Sequence, residues 1–519
     1  MYKLKLFLII TLLAGVAYLN AASANEAVYQ ENCAKCHGGD RLGRMGSALL
    51  PGNLKRLRKK SAIEVITNGR IASQMPAFGD KISEEDIASL VELIYTPLDK
   101  MPTWDVGEIK RSHVVSNAVE SLPEKPQWDT DPLNLFTVVE TGDHHVTILD
   151  GDALEPLARF PTRFALHGGA KYSPDGRFVY LASRDGWVSK YDLYSFKLVA
   201  ETRVGINTRN IAVSSDGLWV AAGNFLPHTI VILNAKDLSL DRIIPVADKD
   251  GNTSRVSAIY NAPPRNSFIV ALKDVKEVWE LSYDPDAGPV REGFAHNNRV
   301  GEEEGFIVDE NPFGRRRVYL DDYLDDFFFD PYYAEVIGAS RDGLGGAVYN
   351  LDGRKKIATF DLDGMPHLGS GIYWQYEGRL VMATPHLKGG SVSIIDMESW
   401  ATVKQLKTQG PGFFMRSHEN TPYAWVDVFF GEHKDVLHVI DKRTLEIVKT
   451  INPAPGKTNA HVEFTRDGKY ALVSVWDKDG AIVVYDSHTL EEVKRIPMNK
   501  PVGKYNVYNK ITYSAGTSH

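Results

Sequence analysis

The sequence predicts two folds in series: a small all-α domain, then an all-β eight-bladed β-propeller that occupies most of the 519 residues. Apolar residues recur at helical spacing between about residues 26 and 100. From Phe136 onward the character changes to short apolar, β-branched runs separated by Asp-Gly turns, such as Phe136-Thr-Val-Val-Glu and His145-Val-Thr-Ile-Leu. One turn repeats: Ser173-Pro-Asp-Gly, Ser214-Ser-Asp-Gly and Thr465-Arg-Asp-Gly, with Asp175 and Asp216 41 positions apart, close to one blade. Residues 131–519 supply 389 positions. At about 45 per blade plus insertions this fits seven or eight blades, and eight is favoured.

At the N-terminus Lys3 and Lys5 precede an apolar run from Leu6 to Leu19, and Ala22-Ser23-Ala24 offers a small-x-small cleavage site. Residues 1–24 therefore read as a signal peptide, and the apolar run is short for a bilayer span. Residues 25–100 form the helical domain, with helices expected from Glu26, over Ser61–Asn68, and from an N-cap at Ser83. Residues 101–130 read as a linker, because Pro102, Pro123 and Pro126 interrupt regular structure. Residues 131–519 form the propeller. The stretch 285–335, with its Arg315-Arg316-Arg317 run and dense Asp and Phe residues, breaks the rhythm and reads as a flap or a long solvated loop.

Both cysteines of the chain lie in Cys33-Ala34-Lys35-Cys36-His37. C-x-x-C-H is the signature of covalent heme c: two thiols form thioethers to the porphyrin, and the following His37 ligates iron. Zinc would need further ligands that no second cysteine pair supplies. With helices around it and a late Gln74-Met75-Pro76 loop, the domain resembles small class I cytochromes c, and Met75 is then the sixth ligand, with Met45 and Met101 as rivals. Heme c is attached outside the cytoplasm, which agrees with export to the periplasm. A net charge of −8 argues against nucleic acid as a partner. Nine Trp and 23 Tyr suit a sheet-rich interior or a large flat ligand.

In the propeller half, His167, His367, His418 and His461 stand in unusual contexts. Glycines beside His167 and His367 would allow a bulky planar cofactor to approach the backbone. Arg163, Arg203, Arg209 and Arg255 follow or end strands and are candidates for pairing carboxylates.

A C-x-x-C-H domain followed by an eight-bladed propeller resembles the cytochrome cd1 nitrite reductase family over nearly the whole mature chain. Specific stretches are Phe164-Ala-Leu-His167, Ser183-Arg-Asp-Gly and Gly503-Lys-Tyr-Asn-Val-Tyr508-Asn. The resemblance implies non-covalent heme d1 or dihydro-heme d1, with His167 as proximal ligand and His367 and His418 on the distal side. Asp325-Asp-Phe-Phe-Phe-Asp, Gly364-Met-Pro-His-Leu-Gly-Ser-Gly and Gly69-Arg-Ile-Ala-Ser-Gln-Met-Pro-Ala-Phe resemble the dihydro-heme d1 dehydrogenase branch. That branch has His and Tyr at the positions of His461 and Tyr505, where nitrite reductases typically carry Pro and Phe. The implied reaction oxidises a propionate to an acrylate, with His461 as base and Tyr505 holding the carboxylate or relaying a proton. Electrons leave through heme c to an external acceptor, and nitrite reductase or other heme d1 synthesis proteins are possible partners. Nitrite reduction and non-catalytic heme d1 carriage remain the alternatives. No Gly-rich dinucleotide fingerprint points to a separate nicotinamide or flavin.

Overall fold

The computed structural model describes residues 25–44, 46–54, 57–69, 75–100, 102–163, 165–293, 306–340, 345–362, 365–513 and 515–517. The expected signal peptide and the rival ligands Met45 and Met101 lie outside these residues. The chain divides into two compact units, Met1–Trp104 and Asp105–His519.

The first unit is helical. Residues 25–32 lead into Ala34–His37, followed by Pro51–Leu54, Lys59–Asn68 and Glu84–Tyr95. Ser83 caps the last helix by accepting the Asp86 N–H at 3.1 Å, ahead of an acidic first turn. Its apolar stripe, Ile87, Leu90, Val91 and Ile94, closes with Tyr29, Leu54, Ala62 and Ile66 into one core. At the other end Arg41 donates to the carbonyls of Leu93 and Thr96, satisfying groups the helix leaves open.

The second unit contains eight sheets of propeller type among the described residues. In chain order they span residues 135–161, 171–203, 207–245, 256–319, 324–360, 372–407, 415–451 and 459–498. Strand Pro501–Asn506 closes the ring by pairing with Leu135–Glu140, setting Thr137 opposite Tyr505 and Val138 opposite Lys504. The repeated turn has one geometry. Ser173 and Ser214 each donate a hydroxyl to the aspartate two residues on and accept a backbone N–H five residues on. Thr465 does the same with Asp467 and Tyr470. The glycine after each aspartate, Gly176, Gly217 or Gly468, takes the positive φ that closes the turn.

Two expectations change. Residues 101–130 are not featureless. Asp105 and Glu108 form a capping box for a helix over Val106–Ser112, and Val114–Val115 then adds a fifth strand beside Glu201 and Ala200. The prolines punctuate short elements rather than abolish them. Within 285–335, only a hairpin of Val290–Glu292 and Phe306–Asp309 departs from the blade pattern among the described residues. Arg315–Tyr319 is the fourth strand of its blade, where Arg316 and Arg317 meet Glu280 and Glu277. Leu324–Phe329 is the first strand of the next, with Phe327, Phe328 and Phe329 buried. Facing carboxylates and burial absorb residues that look anomalous in sequence.

Candidate functional site

In the helical unit, Cys33 ends one helical segment and Cys36 and His37 lie in the next, so three functional groups share one turn. His37 Nδ1 donates to the Ser47 carbonyl at 2.7 Å, which leaves the Nε2 lone pair for a metal. Gly46 permits this closeness, since a Cβ there would meet His37 Cε1 at 2.6 Å. Burial pushes the Cys33 thiol up to about 11. Met75 is half-buried against the same core. These donors fit a heme c attached at Cys33 and Cys36.

In the propeller, the first strands of the blades and the loops before them enclose a cavity of about 360 Å³. Five expected residues line it: His167, Arg209, His367, His461 and Tyr505. They come from blades far apart in sequence. His167 precedes the second blade and His367 the sixth, four blades apart in a ring of eight.

His167 is held on both nitrogens. Nδ1 donates to the Arg209 carbonyl at 2.7 Å, so Nε2 carries the lone pair, which accepts from Arg184 at 3.0 Å and Arg209 at 3.1 Å. Burial, then the charges of Arg184 and Arg209, hold this imidazole well below the usual histidine range. His367 repeats the arrangement. Nδ1 donates to the Phe413 carbonyl at 2.6 Å, and its ring lies 4.1 Å from that of Phe413. Its basicity is lowered by burial. Both are neutral imidazoles with a fixed tautomer, as an iron ligand requires.

His461 is different. Its strand, Asn459–Phe464, shifts register between Ala460 and Glu463, and His461 sits in the bulge with φ 56°. Its backbone is pinned: the N–H donates to Asp427 at 3.3 Å, and the carbonyl accepts from Lys504. Its ring packs edge-on against Phe414 at 4.7 Å and Tyr505 at 5.2 Å, and Nδ1 has no partner among the described residues. Burial, then Lys504, Arg416 and Lys510, push it well below the usual range. The Tyr505 hydroxyl is pushed up to about 12 by burial and stays protonated at neutral pH. Gly169, at φ 75°, lies against this ring, where a Cβ would stand 3.0 Å from Tyr505 Cε1.

Four expected residues lie outside the cavity lining. Arg163 pairs with Glu201 and stacks over Trp187 at 3.8 Å. Arg255 forks onto Asp274, and Arg203 donates to the Asp185 carbonyl at 2.8 Å. These guanidiniums are engaged within the blades. His418 is buried against the turn of the neighbouring blade at Gly468, its Nδ1 accepting the Asn420 N–H at 3.1 Å.

Other lining residues carry no signal that was read from sequence. Tyr260 donates to Asp326 at 2.8 Å, and Arg209 faces Asp326 at 3.8 Å. Phe413, Phe414, Phe429 and Trp476 form an aromatic wall suited to a flat ring. The doublets Phe413-Phe414 and Phe429-Phe430 were its available trace. Arg416, two residues before His418, also faces the cavity. Paired neutral imidazoles, cations and aromatic faces make a donor set that fits an iron tetrapyrrole bearing carboxylates.

Comparison with known proteins agrees with this reading. The family described as "Cytochrome D1 heme domain" matches residues 130–510, and that described as "Cytochrome C oxidase, cbb3-type, subunit III" matches residues 20–94. The chain is 53% identical to the Dihydro-heme d1 dehydrogenase of Pseudomonas aeruginosa over 508 residues, 98% of each chain. It is 24% identical to the Nitrite reductase of Stutzerimonas stutzeri over 96% of each. A solved structure, "Dihydro-heme d1 dehydrogenase NirN in complex with DHE", superposes with a TM-score of 0.83 at 53% identity, covering 94% of this chain and 99% of that one. With a cytochrome c domain ahead of an eight-bladed propeller, the chain belongs to the cytochrome D1 heme-domain family, in its dihydro-heme d1 dehydrogenase branch.

Proposed function

We propose that the protein is a periplasmic dehydrogenase that oxidises a propionate of dihydro-heme d1 to the acrylate of heme d1. The observation that carries this reading is the pairing of His461 and Tyr505 in the wall of a cavity equipped for an iron tetrapyrrole. One C–H bond breaks on each of the two carbons of the side chain, and a C=C bond forms. Two protons and two electrons leave.

His167 and His367 would orient the substrate through Nε2 at its iron, which at His167 would displace the Arg184 and Arg209 donors from that nitrogen. The aromatic wall of Phe413, Phe414 and Phe429 excludes water from one part of the cavity. Tyr505, a protonated donor, holds the substrate carboxylate or relays a proton. His461 is neutral at working pH and accepts a proton at an imidazole nitrogen. The cations facing it keep its basicity low, and a substrate carboxylate among them raises it. Cys33 and Cys36 would hold a heme c with His37 and Met75 as its protein ligands, and when bound that group would supply one-electron acceptance toward an external acceptor. No helix among the described residues is long and apolar enough to cross a membrane.

The test is to incubate purified protein with dihydro-heme d1 and a one-electron acceptor and measure the product mass. Loss of two hydrogen atoms is expected. Binding with unchanged mass would make the protein a carrier, and rapid nitrite turnover would make it a reductase.

A further inference from the structure

Four arginines of the propeller pair with carboxylates: Arg163 with Glu201, Arg177 with Asp192, Arg255 with Asp274 and Arg209 with Asp326. Arg416 forms no ion pair among the described residues. The residue is 4% exposed and lines the cavity. Its Nη1 donates only to the adjacent carbonyl of Met415 at 2.9 Å, and Nε is buried without a partner. Two carboxylates reach it by charge without pairing with it, although Glu463 Oε2 is buried with no hydrogen-bond partner among the described residues. Asp427 accepts the N–H groups of Phe413, Phe414 and His461. Glu463 Oε1 accepts from Phe464 N–H and the Asn509 amide. Lys504 and Lys510 add further positive charge close by. A buried guanidinium with no carboxylate in ion-pair contact is costly, and an anion arriving in the cavity would supply that contact.

We propose that Arg416 seats the carboxylate of the side chain that is oxidised and thereby selects which of the ring's carboxylates reacts. The inference rests on the preceding reading that a ring propionate is the reacting group. Arg416 follows Phe414, whose ring touches His461, and its charge acts on both His461 and Tyr505. A planar guanidinium takes a carboxylate on two parallel hydrogen bonds. The two carbons that lose hydrogen lie one and two bonds from that carboxylate, so seating it at Arg416 carries them to His461 and Tyr505. Pairing also draws charge from the carboxylate and eases proton removal from the adjacent carbon. A ring inserted with another side chain at this wall would bind through its iron and would not react.

The test uses the full heme-loaded chain, as wild type, Arg416→Lys and Arg416→Gln. The probes are dihydro-heme d1 and the same compound with its reacting propionate methyl-esterified. Wild type is expected to bind the acid about 10- to 100-fold more tightly than the ester, the difference carried by a charge-assisted pair. Arg416→Gln should bind both alike, keep the bound-ring spectrum set by His167 and His367, and oxidise the acid at least about 10²-fold more slowly. Arg416→Lys should recover part of both the discrimination and the rate. Wild type that binds acid and ester equally overturns the proposal, even if the glutamine variant does not fold. A folded Arg416→Gln that discriminates or oxidises as wild type does also overturns it. If wild type discriminates between the probes but oxidises neither, the seat stands and the dehydrogenase reading falls.

Discussion

His167 and His461 line the same cavity, and burial beside cations pushes both imidazoles well below the ordinary histidine range. Their surroundings are otherwise unlike. At His167, Nδ1 is tied to the Arg209 carbonyl and Nε2 is aimed between Arg184 and Arg209, so tautomer and direction are both fixed. At His461 the fixed part is the backbone, pinned by Asp427 and Lys504, while Nδ1 is left without a partner among the described residues. A ligand needs a lone pair that never moves; a group that takes up a proton needs a nitrogen free to receive it. His37 in the helical unit and His367 across the ring share the His167 arrangement, each with Nδ1 donating to a backbone carbonyl. One hydrogen bond thus separates the three histidines proposed to hold iron from the one proposed to take up a proton.

The sharpest way to test that separation is on the wall of His461 and Tyr505, proposed to react. Tyr505→Phe keeps the ring that packs on His461 and Gly169 and removes only the hydroxyl. Single-turnover oxidation should slow by about 10²–10⁴-fold, the usual cost of losing a positioned acid–base group, with the absorption spectrum of the bound substrate unchanged. An unaltered rate would remove Tyr505 from the chemistry. On the holding wall the effect should fall on affinity instead. His167→Ala should weaken tetrapyrrole binding by about 10²-fold and change the axial-ligand spectrum. If it slowed oxidation while leaving affinity and spectrum intact, the two walls would have to exchange roles.

The contrast also explains what was legible in the sequence. The C-x-x-C-H site is contiguous, so the thiols and His37 declare themselves within five residues. The blade count was legible because Ser173, Ser214 and Thr465 build the same turn from the same local bonds. The cavity is assembled from eight blades, and there local signals fail. Arg163 and Arg255 look like free cations until the fold sets Glu201 and Asp274 beside them. Arg416 looks like one more surface charge until the fold buries it with Nε lacking a partner among the described residues. His418 and Arg416 sit two residues apart, and only the packing of the next blade against His418 shows which one faces the cavity. The Arg315–Arg317 run failed for the same reason in reverse, since Glu280 and Glu277 lie on the neighbouring strand and Asp309 on the hairpin beside it.

A smaller effect separates the parts of the reacting wall, and it appears in stability rather than rate. Asp427 is buried beneath His461, and burial raises its carboxyl from 3.8 to about 6. Between those values the folded state keeps a proton that the unfolded chain releases, so this group makes the protein less stable as pH rises through that window. His461 acts with the opposite sign. Its folded value lies well below the unfolded 6.5, so below pH 6.5 the unfolded chain binds the extra proton. Its contribution is complete above 6.5 and is lost as pH falls. Each slope is limited to about 1.4 kcal/mol per pH unit. Denaturant unfolding followed by circular dichroism at pH 4, 5, 6 and 7 separates them. Relative to wild type, His461→Ala should gain stability as pH falls from 6.5, because it no longer carries the protonation that favours unfolding. Asp427→Asn should gain relative to wild type as pH rises from 4 to 6. Should both variants shift in the same direction, the two groups titrate as one unit, and His461 could not be the independent proton acceptor that its unpartnered Nδ1 implies.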